Sequence, residues 1–192
     1  MEVISTRVEL ERRVVEGSKR YHEIIMSSEI EPFFHNNAEL FRGKRILDLG
    51  CGEAFPRRIL RRAEFKARYT GIDSGAGCGP HASCSKPDIQ ADYAGNLPYG
   101  LASFDIVLAL FPALNFTNDR DMKHILAYLA DGGKFVHSGT PYCYKRHHIM
   151  EDISRHLSLV KAEQYITPVI CGGEEIYLHN NIFSIWTNSV KD

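Results

Sequence analysis

The segment Arg45-Ile46-Leu47-Asp48-Leu49-Gly50-Cys51-Gly52-Glu53 sets the strongest constraint on what this chain can fold into, because an apolar strand runs directly into two glycines and then a helical pattern. Gly50 and Gly52 lack the Cβ atoms that would block a tight turn and hold a ligand away from the backbone. Asp48 narrows the ligand. A dinucleotide site must cradle a doubly anionic pyrophosphate, and a carboxylate two residues before the first glycine repels that group. Phe55 also stands where the third glycine of a dinucleotide fingerprint belongs, so a nicotinamide-dependent oxidoreductase ranks last. Asp48 suits a cationic ligand, while the helix amides from Glu53 onward can receive polar groups.

Downstream spacing fits a nucleoside. Arg68-Tyr69-Thr70-Gly71-Ile72-Asp73 reads as a second strand ending in an acid, roughly twenty residues after the first glycine, where a carboxylate takes both ribose hydroxyls and Ser74 follows. Asp88 to Tyr93 offers a third strand whose closing Asp92 can accept the adenine amino group, with Tyr93 or Leu97 flanking the ring. Ser103 to Leu110 is an apolar run suited to a buried central strand. S-adenosylmethionine, with its ammonium and sulfonium, meets all of these demands.

With these motifs in order, LDLGCG, GID, AD, FDIVLAL and LADGGKF, the chain resembles the class I S-adenosylmethionine-dependent methyltransferases over about Arg45 to Pro141. The resemblance implies an α/β, Rossmann-like, seven-stranded and mostly parallel sheet in the order 3-2-1-4-5-7-6. Helices cover both faces and the last strand is antiparallel. It also implies S-adenosylmethionine as cofactor, held by Asp48, Gly50, Cys51, Gly52, Asp73, Ser74, Asp92, Tyr93 and Leu110.

A chain of 192 residues with 44% hydrophobic content can bury one good core, so residues 1–192 read as one domain. Residues 1–42 form its helical leading segment or lid and 43–192 its Rossmann-like core. A net charge of -1 gives no global drive toward nucleic acid or membranes. Nothing approaches an uncharged membrane span, the charged start is unlike a secretory signal, and five cysteines without a disulfide framework suit a reducing compartment; the expectation is a cytoplasmic protein.

Apolar residues at helical spacing from Ile4 to Ile25 predict two short helices, and Phe33 to Phe41 predicts a further one after Pro32. This leading segment either helps form a lid over the acceptor or merely covers a sheet edge. The helix after the glycine turn carries Arg57, Arg58, Arg61 and Arg62, which face solvent or touch phosphate. Between Asp73 and Asp92 the chain departs from the family. Glycine and proline are too dense for the usual helix, so residues 74–87 are expected to loop over the adenosine. Cys78, His81 and Cys84 there have part of a zinc-ligand spacing, but no second ligand pair accompanies them, and no metal is expected.

Phe111, Asn115 and Tyr142 lie where strands four and five end, at the edge where open α/β sheets place ligands, and Tyr21 and His22 come from the leading segment; these five are the acceptor contacts. The Asn/Asp-Pro-Pro-aromatic tetrad of many amino-group methyltransferases is missing. Helices are predicted over Asp119 to Ala130 and up to Leu157, with strands over Lys134–Ser138, Leu159–Ile166 and Glu175–Trp186. Methyl transfer is an in-line displacement that alignment and water exclusion can drive, so a base is optional and no catalytic residue is assigned. His137, His147 and His148 are candidates by position for an acceptor hydroxyl. The expected function is methyl transfer to the O or N atom of a small or medium-sized acceptor. RNA methylation and a non-catalytic methyltransferase-like subunit acting through a protein partner stand as alternatives.

Overall fold

Arg45–Leu49 forms β1, and its apolar side chains pair it on both sides with parallel strands, as a buried central strand requires. The computed structural model describes residues 24–52, 54–74, 87–91, 103–110, 119–141, 148–171 and 174–188. Beside β1 lie β2 (Arg68–Asp73) and β4 (Phe104–Ala109). Beyond them are β3 (Ile89–Gln90), β5 (Leu129–Gly139), β6 (Ser158–Cys171) and β7 (Glu174–Thr187). The sheet is seven-stranded in the order β3-β2-β1-β4-β5-β7-β6, with β7 antiparallel to both neighbours, which is the expected order and polarity. Chain direction across the sheet reverses between β1 and β4, so their carboxyl ends open a crevice at the switch point.

Alternation along the strands divides the core in two. On one face Leu47, Leu49, Val107, Phe135 and Trp186 pack against Met122 and Ile125 of the helix Asp119–Tyr128 and against Ile149 and Ile153 of the helix Ile149–Ser154. On the other, Ile46, Ile106, Leu108, Val136, Phe183 and Ile185 meet Ile59 and Leu60 of the helix Phe55–Arg62 and the phenylalanines of the leading segment. That segment is a π-helical turn, Met26–Ile30, continuing into helices Glu31–Asn36 and Ala38–Phe41. Phe33 is fully buried, stacked on Phe183 with ring centroids 4.4 Å apart, and edge-on to Phe34 and Phe41. Polar contacts add to this docking: Asn37 Nδ2 donates to Glu163 Oε1 at 2.9 Å, and Asn36 Nδ2 donates to the Tyr165 hydroxyl at 3.3 Å. Residues 24–41 therefore lie across the sheet face and against the β6–β7 hairpin.

Several boundaries differ from the expectation. Helix begins well before Phe33: the π-helical turn Met26–Ile30 runs directly into Glu31–Asn36, with Pro32 near the junction of the two. β5 starts at Leu129, ahead of the expected Lys134. Asp131-Gly132-Gly133, expected to end a helix, forms an irregularity inside the strand, where Gly132 takes φ 68 and a Cβ on Gly133 would lie 2.7 Å from the Ala130 carbonyl. β6 extends to Cys171, beyond Ile166, because hairpin pairing with β7 carries both strands to the turn. The helix from Ile149 ends at Ser154, short of Leu157. The two helices predicted from Ile4 to Ile25 fall almost wholly outside the described residues, and of the third strand only Ile89–Gln90 is described as strand.

Truncating Phe33 to Ala removes the ring that joins the leading segment to β7 and leaves a cavity. The expected loss is about 3–5 kcal/mol of folding stability, read as a lower urea midpoint with an unchanged m-value.

Candidate functional site

The turn after β1 is built by its neighbour β2. Gly50 and Cys51 both donate their amides to the Ile72 carbonyl, at 2.8 and 3.0 Å, and the Gly52 amide donates to Asp73 Oδ2 at 2.9 Å. This geometry needs φ 69 at Gly50 and φ 47 at Gly52, which favours glycine. A Cβ at either position would meet nothing within 4 Å, so space is open above the turn. Ala54 closes it, donating to the Cys51 carbonyl at 2.7 Å, and the helix Phe55–Arg62 starts with Pro56 in its first turn. Cys51 turns inward. Its sulfur lies where a Cβ on Gly71 would approach to 2.8 Å, and burial, reinforced by Asp48 and Asp73, pushes the thiol up to about 12. It is a packing residue with an unreactive thiol.

Asp48 is 2% exposed, and its Oδ2 accepts the hydroxyl hydrogen of Tyr69. Burial pushes this carboxyl up to about 7, while the Tyr69 hydrogen bond and the Arg57 guanidinium pull it down. Tyr69 itself is held well above the usual phenol range, first by burial and then by Asp48, so its hydroxyl stays a donor. The Arg57 guanidinium lies 4.8 Å from the Tyr69 ring centroid and pairs with Asp88, whose Oδ2 accepts the Gly71 amide at 2.8 Å. Asp48, Tyr69, Arg57 and Asp88 thus form a continuous polar chain from the glycine turn to the start of β3. Sequence reading found Asp48 and missed the other three. A tyrosine on β2 and an arginine one turn into the next helix become partners only through the β1–β2 register.

Asp73 closes β2 half-buried, with its carboxylate against the turn, and Ser74 follows it at the surface. Leu110 is buried at the carboxyl end of β4. His137 is enclosed in β5, where burial lowers its pKa to about 3, leaving a neutral ring that accepts a proton poorly. His148 is exposed at φ 50, with Nδ1 at 2.9 Å from Glu151 Oε2. Tyr21, His22, Asp92, Tyr93, Phe111, Asn115, Tyr142 and His147 lie outside the described residues, as do Cys78, His81 and Cys84. Among the described residues no group of three or more His, Cys, Asp or Glu side chains is placed to hold a metal ion, and no helix is long and apolar enough to cross a membrane. A cavity of about 480 Å³ lies between the helix Phe55–Arg62 and the start of β2, lined by Arg57, Arg61, Lys66, Tyr69 and Asp88, away from the open side of the glycine turn. Of the four helix arginines, Arg57 is engaged as above, and the exposed Arg58 lies over the Phe55 ring at 4.4 Å.

Residues 47–137 match the methyltransferase-domain family. A search of curated proteins returns no match. Among solved structures the chain is similar to the YcgJ protein of Bacillus subtilis, with a TM-score of 0.62 and 13% identity over 84% of this chain and 98% of that one. It is similar to the 1,6-didemethyltoxoflavin-N1-methyltransferase of Burkholderia thailandensis, solved with 1,6-didemethyltoxoflavin and S-adenosylhomocysteine, at a TM-score of 0.58 and 15% identity over 96% and 88%. It is also similar to the 16S rRNA (adenine(1408)-N(1))-methyltransferase of Catenulisporales acidiphilia with its cosubstrate SAM, at 0.55 and 11% over 81% and 90%.

The Asp48 environment gives a pH signature. Its folded pKa of about 7 lies above the ordinary 3.8, so folding disfavours the ionised form. The group is neutral to stability below about pH 4, costs progressively more as pH rises to about 7, and is constant above that. Asp48→Asn should therefore gain stability relative to the parent chain on going from about pH 5 to about pH 8 in urea denaturation. A difference that does not change with pH would refute the assignment.

Proposed function

Residues 47–137 are a methyltransferase domain within a sheet of the class I S-adenosylmethionine-dependent order, and from that premise we propose that the chain binds S-adenosylmethionine over its glycine turn and methylates a small or medium-sized acceptor. One observation carries the reading: the Gly52 amide is clamped by Asp73 beneath a turn whose two glycines leave open space at the carboxyl edge. The cofactor, when bound, supplies an electrophilic methyl group on a sulfonium sulfur.

The residues of this chain bind and orient it. Asp73 fixes the turn through one carboxylate oxygen and stands at the end of β2 to take the ribose hydroxyls, with Ser74 beside it. Gly50, Cys51 and Gly52 let the nucleoside approach the backbone. Leu110, Asp92 and Tyr93 complete its surroundings. Asp48, buried and held by Tyr69, gains from a positive charge brought to the turn, which lowers its pKa and drives its proton off. Water exclusion and alignment do the rest, so no base among His137, His147 and His148 is required. Arg57 of the basic helix is spent on an internal ion pair, which weakens that helix as a phosphate-binding face and favours a small acceptor over RNA.

Calorimetric titration with S-adenosylmethionine and S-adenosylhomocysteine, beside a nicotinamide dinucleotide control, tests the reading. Binding of the two sulfur nucleosides alone is expected, and binding of neither removes it. Asp73→Ala should weaken both by about 1–3 kcal/mol, through lost charge-assisted hydrogen bonds and a freed Gly52 amide. An unchanged dissociation constant would sink the role given to Asp73.

A further inference from the structure

β7 outruns β5. Their pairing ends at Gly139 with Ile182, whereas β6 and β7 stay paired up to Cys171 and Glu174, so the hairpin stands above the carboxyl edge of the sheet. His179 lies three residues past Ile182, about 10 Å beyond the end of β5. Strand alternation puts His179 and Asn181 on the same face as Phe183 and Ile185, so two polar residues continue upward the face that Phe33 and its neighbours cover below. The π-helical turn Met26–Ile30 packs there, and Glu29 Oε1 lies 2.7 Å from His179 Nδ1.

This cluster is buried, and among the described residues two of its members, Glu29 and Asn181, are left with unsatisfied polar atoms. Glu29 and Asn181 are 0% exposed and His179 is 8% exposed. Glu29 Oε2 and both polar atoms of the Asn181 amide make no hydrogen bond. Buried polar atoms in that condition are costly and call for a partner. A π-helical turn, a rare conformation that is frequent at functional sites, carries one of them.

We propose that Glu29, His179 and Asn181 form the acceptor-recognition subsite, and that the acceptor is a nitrogenous small molecule presenting N–H donors beside a hydrogen-bond acceptor, as an amidine or aminoheterocycle does. The proposal rests on the methyl-transfer reading above. The orphan atoms set the complement: Glu29 Oε2 and Asn181 Oδ1 accept, and Asn181 Nδ2 donates. The Glu29 carboxylate disfavours carboxylate and phosphate groups at the same place. Its other oxygen accepts from His179 Nδ1, which orients the ring and keeps Glu29 in place. Access requires the Met26–Ile30 turn to lift from the hairpin.

The test uses the full chain saturated with S-adenosylhomocysteine and four probes, benzamidine, 2-aminopyrimidine, benzoate and phenyl phosphate, followed by ligand-observed NMR. Benzamidine and 2-aminopyrimidine are expected to bind, and to bind about tenfold or more weakly in Glu29→Gln and in Asn181→Leu. S-adenosylhomocysteine affinity should hold in both variants, and the melting temperature of Asn181→Leu should hold or rise, because two unpaired buried atoms are removed. Probe binding that neither substitution changes, or anionic probes binding as well as the nitrogenous ones, overturns the subsite. A fall in melting temperature with probe binding intact assigns Asn181 to the fold and overturns it too. Failure of the unmodified chain to bind S-adenosylhomocysteine instead overturns the methyl-transfer reading on which the subsite depends.

Discussion

One carbonyl does most to shape the functional end of this molecule. The Ile72 oxygen accepts two successive amides from the turn after β1, and the next residue, Asp73, captures the third amide with its side chain. The turn is thus held by β2 rather than by itself. It can stay open on its outer side, free of side chains, only because its donors are satisfied from below. Without the parallel β1–β2 register the three amides would lose the acceptors that Ile72 and Asp73 supply, and the helix that follows would not start where it does. Gly71 belongs to the same arrangement, since a side chain there would collide with Cys51 and push the strands apart.

Beneath the turn, electrostatics reinforce geometry. A carboxylate at the end of a buried strand is unfavourable unless something donates to it, and Tyr69 supplies that donor from β2. Arg57 covers the tyrosine ring and ties the chain of contacts to Asp88, which in turn holds the Gly71 amide. The strand pair is therefore joined by its backbone and by a relay of side chains that begins and ends on it. A charge change at Asp48 is felt along that relay.

How much of this the sequence revealed depended on distance along the chain. The glycine turn, the closing acid of β2 and the apolar central strand β4 are short, self-contained patterns, and the family resemblance they carry implied the sheet order that is observed. Local rules failed where a glycine pair served a strand irregularity in place of a helix end, as at Gly132 and Gly133. They failed again where hairpin pairing extended β6 past Ile166. Of the site residues expected, Asp48, Gly50, Cys51, Gly52 and Asp73 come together at one turn, while His137 is enclosed in the sheet. Tyr69, Arg57 and Asp88 left no signal because their partnership exists only once β1 and β2 are in register. Glu29 and His179 left none either, since an acid in a helical stretch and a histidine in a strand are unremarkable until they meet.

That last contact joins residues 150 positions apart, whereas the glycine turn and its brace span only the residues from Gly50 to Asp73. The two halves of the functional edge therefore mature at different times as the chain is made. Every strand that braces the turn has been made once β2 is complete, but the wall above the carboxyl edge waits for β7, which follows the other six strands and must wedge between β5 and β6. A chain clipped before β7 would lose Phe183, Ile185 and Trp186 from the two cores along with that wall.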